Sequence, residues 1–546
     1  MELSALVGTV LAVVVIGCYL LESYFFLAHD PREPAYIRPK VPLIGHLLAI
    51  DMYGAGKYFA KVGAQAKSNI FSLPIFNFNF YVIQDRTLFS AIQRNAKSLS
   101  FVPFAIRAIR NFSGSGEETL RLIDYLEGGP GAKEFDRVQR AALAAGPDLD
   151  ELSHAATQVK LDMVEELLRD AGQSTDSAAR VDLFAWVRHA VVISTTEAMF
   201  GPLNPFKNPE HEADFWTFSS KAHVLLSGGF VADLVANLVA KDTMQARDRN
   251  GQRYEEYVSL GGLEKASGLI RGRSRVMAEN GVPERDIARS NIGFDIAMLA
   301  NYVPTTWWAV FEIFSRPWLI EAIREEVSGA VRRQDDDNGS GGFVLDLSVL
   351  RSSSPLLLSS IQEAQRLHGI HAHIREVIRD TTITVGDQRP QLLRKGNYVQ
   401  MNSIPVLRSE ETWGGDVASF DAYRFIKMKR RPEAPGVATP GDLPPHSFPV
   451  WGVAPHVCPA RWFATGGTMA LIAMMALKLD IEAAPDARGE GSAGRQWKMP
   501  AVEGVFVALQ SPAEPVPVVV RPRKGFEGKW TVETGTPGTR LQLSVG

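Results

Sequence analysis

Cys458 is one of two cysteines in 546 residues. It stands in the segment Trp451-Gly452-Val453-Ala454-Pro455-His456-Val457-Cys458-Pro459-Ala460-Arg461-Trp462-Phe463-Ala464. A histidine lies two positions before the thiol. Pro459, just after it, suits the first position of a helix, where a missing N–H costs nothing. From Arg461 to Lys478 the chain is mostly small and apolar, which predicts a buried helix. A cysteine at that helix start faces unpaired backbone N–H groups and the positive end of the dipole, and both favour the thiolate. A thiolate held there is a nucleophile or a metal ligand.

Further upstream, Glu363-Ala364-Gln365-Arg366 follows the apolar run Leu356-Leu357-Leu358. Residues three apart share one helix face, so the carboxylate and guanidinium point the same way. His368, His371 and His373 come next, but their spacing fits no zinc pattern and no cysteine is near. A long helix is expected over Asp286–Phe314, and Pro304 falls inside it. Proline removes the bond to the Ala300 carbonyl and clashes with it, so a kink is expected, with a polar notch beside Asn301.

The thiol segment resembles the haem-binding loop of the cytochrome P-450 family, Phe-Gly-x-Gly-x-Arg/His-x-Cys-x-Gly. Trp451 stands for the phenylalanine, Gly452 matches, His456 takes the basic position and Cys458 the thiolate, while Ala454 and Ala460 replace two glycines. Glu363 and Arg366 resemble the family's Glu-x-x-Arg pair, with Arg424 in Phe420-Asp421-Ala422-Tyr423-Arg424-Phe425 as its third member. The resemblance implies that Arg375 and His456 hold haem propionates. The central helix departs from the family's Ala-Gly-x-Asp/Glu-Thr-Thr: Asn301 takes the glycine place, Val303 the acid, Pro304 the first threonine, and Thr305 remains. Asn-x-x-Pro-x-x-x-Trp (Asn301, Pro304, Trp308) instead resembles the branch with sterol 7α- and 12α-hydroxylases and prostacyclin synthase. No tryptophan-containing helix motif near residues 110–150 supplies the family's further propionate partner.

The resemblance implies a mainly α fold with a small β portion, the cytochrome P-450 fold. It implies haem b as cofactor, with its iron held by the Cys458 thiolate, which favours O–O cleavage. The expected activity is a monooxygenase of secondary metabolism. It would use dioxygen and electrons from an NADPH-dependent cytochrome reductase to oxidise a bulky apolar small molecule, such as a sterol, terpenoid or alkaloid. Asn301 and Thr305 are the catalytic candidates, delivering protons. A peroxide isomerase needing no reductase remains an alternative, because the acid–alcohol pair is lost. A haem-free thiol hydrolase built on Cys458 and His456 is a third. Implied pocket walls are Phe101–Phe112, the central helix, Ile370–His373 and Val505–Phe506. Lys427, Lys429, Arg430 and Arg431 form a basic patch suited to an acidic reductase.

The elements that must position these groups follow from patterning. Leu3–Leu21 is almost unbroken apolar, and nineteen residues at ~1.5 Å each approach the ~30 Å hydrocarbon core. No lysine or arginine precedes the run, whereas Arg32, Arg38 and Lys40 follow it. One transmembrane helix is expected, in the endoplasmic reticulum membrane, with the catalytic domain cytosolic. A cleaved signal peptide would need a basic n-region, which is missing. The expected organisation is a membrane anchor over 1–28, a Pro-rich linker over 29–50 and a haem-thiolate domain over 51–546. Cys18 falls in the anchor, so no disulfide is possible within the domain. Net charge is −3, and no basic excess argues for nucleic acid. Helices are expected over 84–94, 150–170, 182–200, 286–315, 317–332 and 355–368, and strands over 70–83, 381–385, 397–401 and 504–509.

Overall fold

The computed structural model describes residues 2–543 apart from 76–77, 126, 174–176, 227–239, 335–340, 385–388, 428–442, 485–496 and 505–507. Helices dominate and are packed around one large apolar core. Two of them form its centre: Tyr302–Phe314 and Arg461–Lys478. Every residue of the first is buried, as is every residue from Phe463 to Lys478 in the second. A helix apolar all round must be enclosed by others, and these two cross with Thr306 and Thr468 hydroxyls 2.8 Å apart.

Helix boundaries follow local chemistry. Asp85, Asp182, Asn208, Ser267 and Asp346 each accept a backbone N–H at a helix start. Glu326 accepts the N–H groups of Leu356 and Leu357, which open the helix Pro355–His368. At the other end of Arg461–Lys478, Arg324 donates to the carbonyls of Ala476 and Leu479, placing a cation where the dipole is negative.

The β portion is a six-stranded sheet in the order Ala35–Tyr36, Ile70–Ile75, Phe78–Ile83, Tyr398–Asn402, Ala372–Val377, Leu99–Ser100. Smaller two- and three-stranded sheets complete it. The single strand expected over 70–83 is instead a hairpin of two antiparallel strands. The strand expected over 504–509 is also revised. Residues 505–507 lie outside the described residues; on either side, Val502–Glu503 pairs with Ser511–Pro512 and Leu509 bridges to Gly369.

The central helix departs most from expectation. It is not one kinked helix but two, Glu284–Leu299 and Tyr302–Phe314, interrupted at Ala300–Asn301. Pro304 has no N–H for the Ala300 carbonyl, and the ladder resumes with Thr305 N–H on the Asn301 carbonyl at 3.2 Å. The break is therefore complete at the notch that sequence placed there.

Residues Glu2–Leu27 form one helix, but among the described residues no helix is long and apolar enough to cross a membrane. The spanning segment expected over 1–28 finds no support there. What the structure places is the lower end of this helix. Glu22 is buried and accepts from Tyr36 Oη at 2.9 Å and Leu43 N–H at 3.2 Å, and the Arg38 guanidinium lies over the Phe26 ring. The helix is thus fastened to the Pro-rich segment after it.

Candidate active site

The thiol loop is closed by a hydrogen bond from Cys458 N–H to the Trp451 carbonyl at 2.7 Å. Gly452 is required in it: φ is +95°, and a Cβ there would lie 2.5 Å from the His456 carbonyl oxygen. The helix that follows starts at Arg461, with Ala460 as its cap, slightly later than Pro459 suggests. Arg461 folds back to donate to the Cys458 carbonyl at 2.8 Å and lies over the Trp462 ring.

The electrostatics of the thiol correct the sequence expectation. Burial pushes Cys458 up from its ordinary value. Backbone N–H groups of Ala460 and Arg461 and the charge of Arg461 offset that only partly. The helix start alone does not make a thiolate here. A bound cation would, because coordination removes the thiol proton outright.

His456 and Arg375 meet beside this loop. The Arg375 guanidinium is buried and donates to the Val453 carbonyl at 3.0 Å and the Ile374 carbonyl at 2.7 Å. No carboxylate pairs with it among the described residues, and burial draws its pKa down to about 10. Tyr125 Oη lies 2.6 Å from His456 Nδ1, and Phe101 packs on the imidazole. Burial, followed by the charges of Arg375 and Arg140, pushes His456 down to about 3, so the ring is neutral. A buried guanidinium without an acid, next to a tyrosine hydroxyl and an imidazole, is a donor set matched to carboxylates. With a thiol at the base of the same loop, these residues fit a haem: Cys458 for iron, and Arg375, His456 and Tyr125 for propionates.

Tyr125 and Arg140 were missed in the sequence reading. No periodic motif marks either one. Tyr125 reaches His456 across 331 positions, a pairing that only the fold creates.

Glu363, Arg366 and Arg424 come together in one buried unit. Arg366 is bidentate on Glu363 at 2.7 and 2.8 Å and donates to the Leu407 carbonyl at 2.9 Å. Arg424 donates to Glu363 at 3.0 Å and to the Trp413 carbonyl at 2.7 Å. Asp421 N–H completes the carboxylate at 3.1 Å. The unit ties the helix Pro355–His368 to the chain that leads into the thiol loop.

On the central helix, Asn301 is exposed at the break, and its side-chain oxygen accepts from Ala508 N–H at 3.4 Å. The Thr305 hydroxyl donates to the Asn301 carbonyl at 2.7 Å. Next to Asn301, the Tyr302 ring contacts Phe463, five positions past the thiol. Gly293, about two turns before Asn301, approaches Ile109 so closely that a Cβ there would lie 2.8 Å from Cδ1, which sets the helix Val102–Ser113 against the same wall.

The three histidines do not converge on a metal, and no metal-binding group of three occurs among the described residues. His368 stacks on Trp308 at 3.7 Å and contacts Glu312. His373 pairs with Ser403, and burial keeps His371 and His373 neutral. The basic residues Lys429, Arg430 and Arg431, the Lys427 side chain and the wall residues Val505–Phe506 lie outside the described residues.

Comparison with known proteins agrees with this geometry. The family model for cytochrome P450 matches residues 277–488, which contain the acid–arginine unit and the thiol loop. A cytochrome P450 monooxygenase, nodJ, of Hypoxylon pulicicidum is 32% identical over 95% of this chain and 96% of its own. Cytochrome P450 7B1 of Mus musculus is 24% identical over 85% and 88%. The 7-alpha-hydroxycholest-4-en-3-one 12-alpha-hydroxylase of Homo sapiens is 22% identical over 86% and 90%. Cys458 in its loop, the buried acid–arginine unit and these end-to-end matches make the chain a member of the cytochrome P450 family, among its monooxygenases.

Proposed function

We propose that the protein hydroxylates a bulky apolar small molecule of sterol, terpenoid or alkaloid type, with haem b held by Cys458 and electrons from an NADPH-dependent cytochrome reductase. One observation carries the reading. The helix break that exposes Asn301 is joined through Tyr302 and Phe463 to the helix that starts at the thiol. The bound haem supplies dioxygen activation. Around it the chain's own residues bind, orient and move protons. Arg375, Tyr125 and His456 would hold the propionates and exclude water from that edge. Phe101, Ile109 and Ile370 offer apolar surface to the substrate. Asn301 and Thr305 form the polar notch in that surface, where water could be held for proton delivery. Sterol hydroxylases among the relatives support an apolar, rigid substrate class.

Family membership displaces the haem-free thiol hydrolase, and the monooxygenases named among the relatives favour oxygenation over the peroxide isomerase, which the same family also accommodates. Attachment to the endoplasmic reticulum membrane, with the catalytic domain in the cytosol, belongs to the same proposal. Its support is the apolar side chains left exposed on Glu2–Leu27, such as Val13, Ile16 and Leu20, and on the short helix Gly45–Tyr53, such as Leu48 and Met52.

The test is turnover of a sterol and terpenoid panel by the holoenzyme with reductase and labelled dioxygen. One labelled oxygen in the product, with strict dependence on both dioxygen and reductase, is expected. Efficient conversion under nitrogen without reductase would refute it.

A further inference from the structure

The first turn after the helix break lies along the helix that starts at the thiol. Tyr302 and Thr306 are one turn apart, and so are Phe463 and Gly467. The Tyr302 ring meets the Phe463 ring edge-on at 6.2 Å, and Thr306 bonds Thr468 at 2.8 Å. The Tyr302 hydroxyl comes down on the backbone at Gly467, where a Cβ would stand 2.2 Å from Oη. Only a glycine lets the phenol in. The break has little else to hold it, because Pro304 offers no N–H to the Ala300 carbonyl and the ladder restarts at Thr305.

Two buried polar groups converge on this point. The Tyr302 hydroxyl makes no hydrogen bond among the described residues. The Lys160 amine, from the helix Pro147–Gln173, comes to 3.5 Å from the same Cβ position, and it donates to the Ala156 carbonyl of its own helix at 3.5 Å. The acids on that helix are taken: Asp150 by Arg351 and Glu165 by Lys478, each at 2.7 Å. Burial lowers the amine to about 7, so above that pH it is uncharged and can accept as well as donate. A buried amine and a buried phenol with bonding capacity to spare, facing one point, are the partners an internal water takes.

We propose that Lys160 and Tyr302 are joined through one internal water above Gly467, and that this tie sets the broken central helix on the thiol helix. Both are then positioning residues for Asn301, which immediately precedes Tyr302. The tie stands on the contacts alone. Its bearing on the reaction rests on the proposed function, in which the Asn301 notch faces the ligand.

The experiment uses the full-length holoenzyme at about pH 8, where the amine is uncharged. Tyr302→Phe deletes the hydroxyl and keeps the ring on Phe463. Lys160→Met deletes the amine, and Lys160→Gln restores a neutral group that both donates and accepts. Amide exchange is followed for the peptide 299–305, with 308–314 of the same helix as reference. Losing one hydrogen bond of ordinary net strength should speed exchange at 299–305 about fivefold in Tyr302→Phe and in Lys160→Met, with the reference unmoved. Their double variant should be no faster than either single one, and Lys160→Gln should recover most of the loss. Unchanged exchange in both single variants overturns the tie. So does a double variant in which the effects add, or a glutamine that behaves as the methionine does, since lost packing alone would give those results. Should Lys160→Met fail to fold, Tyr302→Phe and Lys160→Gln decide the matter. Hydrogen peroxide released per NADPH, measured with reductase, should rise in the two fast-exchanging variants and return with glutamine. Faster exchange without that rise overturns the bearing on Asn301. Absence of NADPH oxidation in the wild type would refute the reductase reading instead, and the exchange data would still judge the tie.

Discussion

Replacing Arg366 by alanine should be strongly destabilising. Its guanidinium is fully buried and makes two short bonds to Glu363 and one to the Leu407 carbonyl. Truncation leaves the Glu363 carboxylate buried with only Arg424 and the Asp421 N–H, and it strands the Leu407 carbonyl. Breaking a buried pair from one side costs about 3–5 kcal/mol, or about two to four decades in the folding equilibrium. Against a total stability of about 5–15 kcal/mol that is between about a fifth and the whole of the margin, so the yield of folded, haem-loaded protein should fall and its unfolding midpoint should drop. Arg366→Lys keeps the charge but lacks the planar fork, so it should recover only part of the loss. The assay is haem-to-protein ratio by pyridine haemochrome, together with the midpoint of thermal unfolding. Glu363→Ala combined with Arg366→Ala should destabilise by less than the sum of the singles, because the second deletion removes a charge already stranded. Full haem occupancy in Arg366→Ala, or strict additivity in the double variant, would show that the three groups do not act as one unit.

Other outcomes follow from the same contacts. Cys458→Ala should abolish the red-shifted Soret band of the reduced, carbonyl-bound protein, and an unaltered spectrum would remove Cys458 as ligand. Arg375→Ala should lower haem retention on gel filtration while costing the apoprotein less than Arg366→Ala does, since it leaves no buried carboxylate behind, only the carbonyls of Ile374 and Val453. Burial lowers Lys160 to about 7, and among the described residues its amine donates to the Ala156 carbonyl at 3.5 Å. Between that value and the ordinary one the unfolded chain binds the extra proton. Stability should therefore rise with pH from about 7 upward, and Lys160→Met should flatten the rise and stabilise most at low pH. Equal slopes of midpoint against pH in the two proteins would contradict this. Deleting residues 2–27 should release the protein from microsomes with its haem retained; protection of the intact protein from protease added outside sealed vesicles would reverse the proposed orientation.

The sequence by itself determined the chemistry that depends on short spacing. Cys458 at a helix start, Glu363 three residues before Arg366, and Pro304 inside an apolar run are local facts, and local geometry makes their consequences predictable. The Glu363–Arg366 pair and the place of the disturbance at Pro304 are legible for that reason, whereas the full break into two helices is not. Arg424 was legible only because resemblance placed it, 58 positions beyond Arg366. The tertiary structure decided what depends on enclosure and on long-range pairing. Burial raises the Cys458 thiol, whereas the helix start taken alone predicts the reverse. Tyr125 meets His456, and Asn301 meets Ala508 across 207 positions, without any periodic signal in either partner's neighbourhood. Periodicity reports which face of an element is apolar, not what that face will touch. Desolvation of a titratable group is likewise set by everything packed around it, so Lys160, an ordinary lysine in the sequence, becomes a buried amine only once Arg461–Lys478 lies beside Pro147–Gln173.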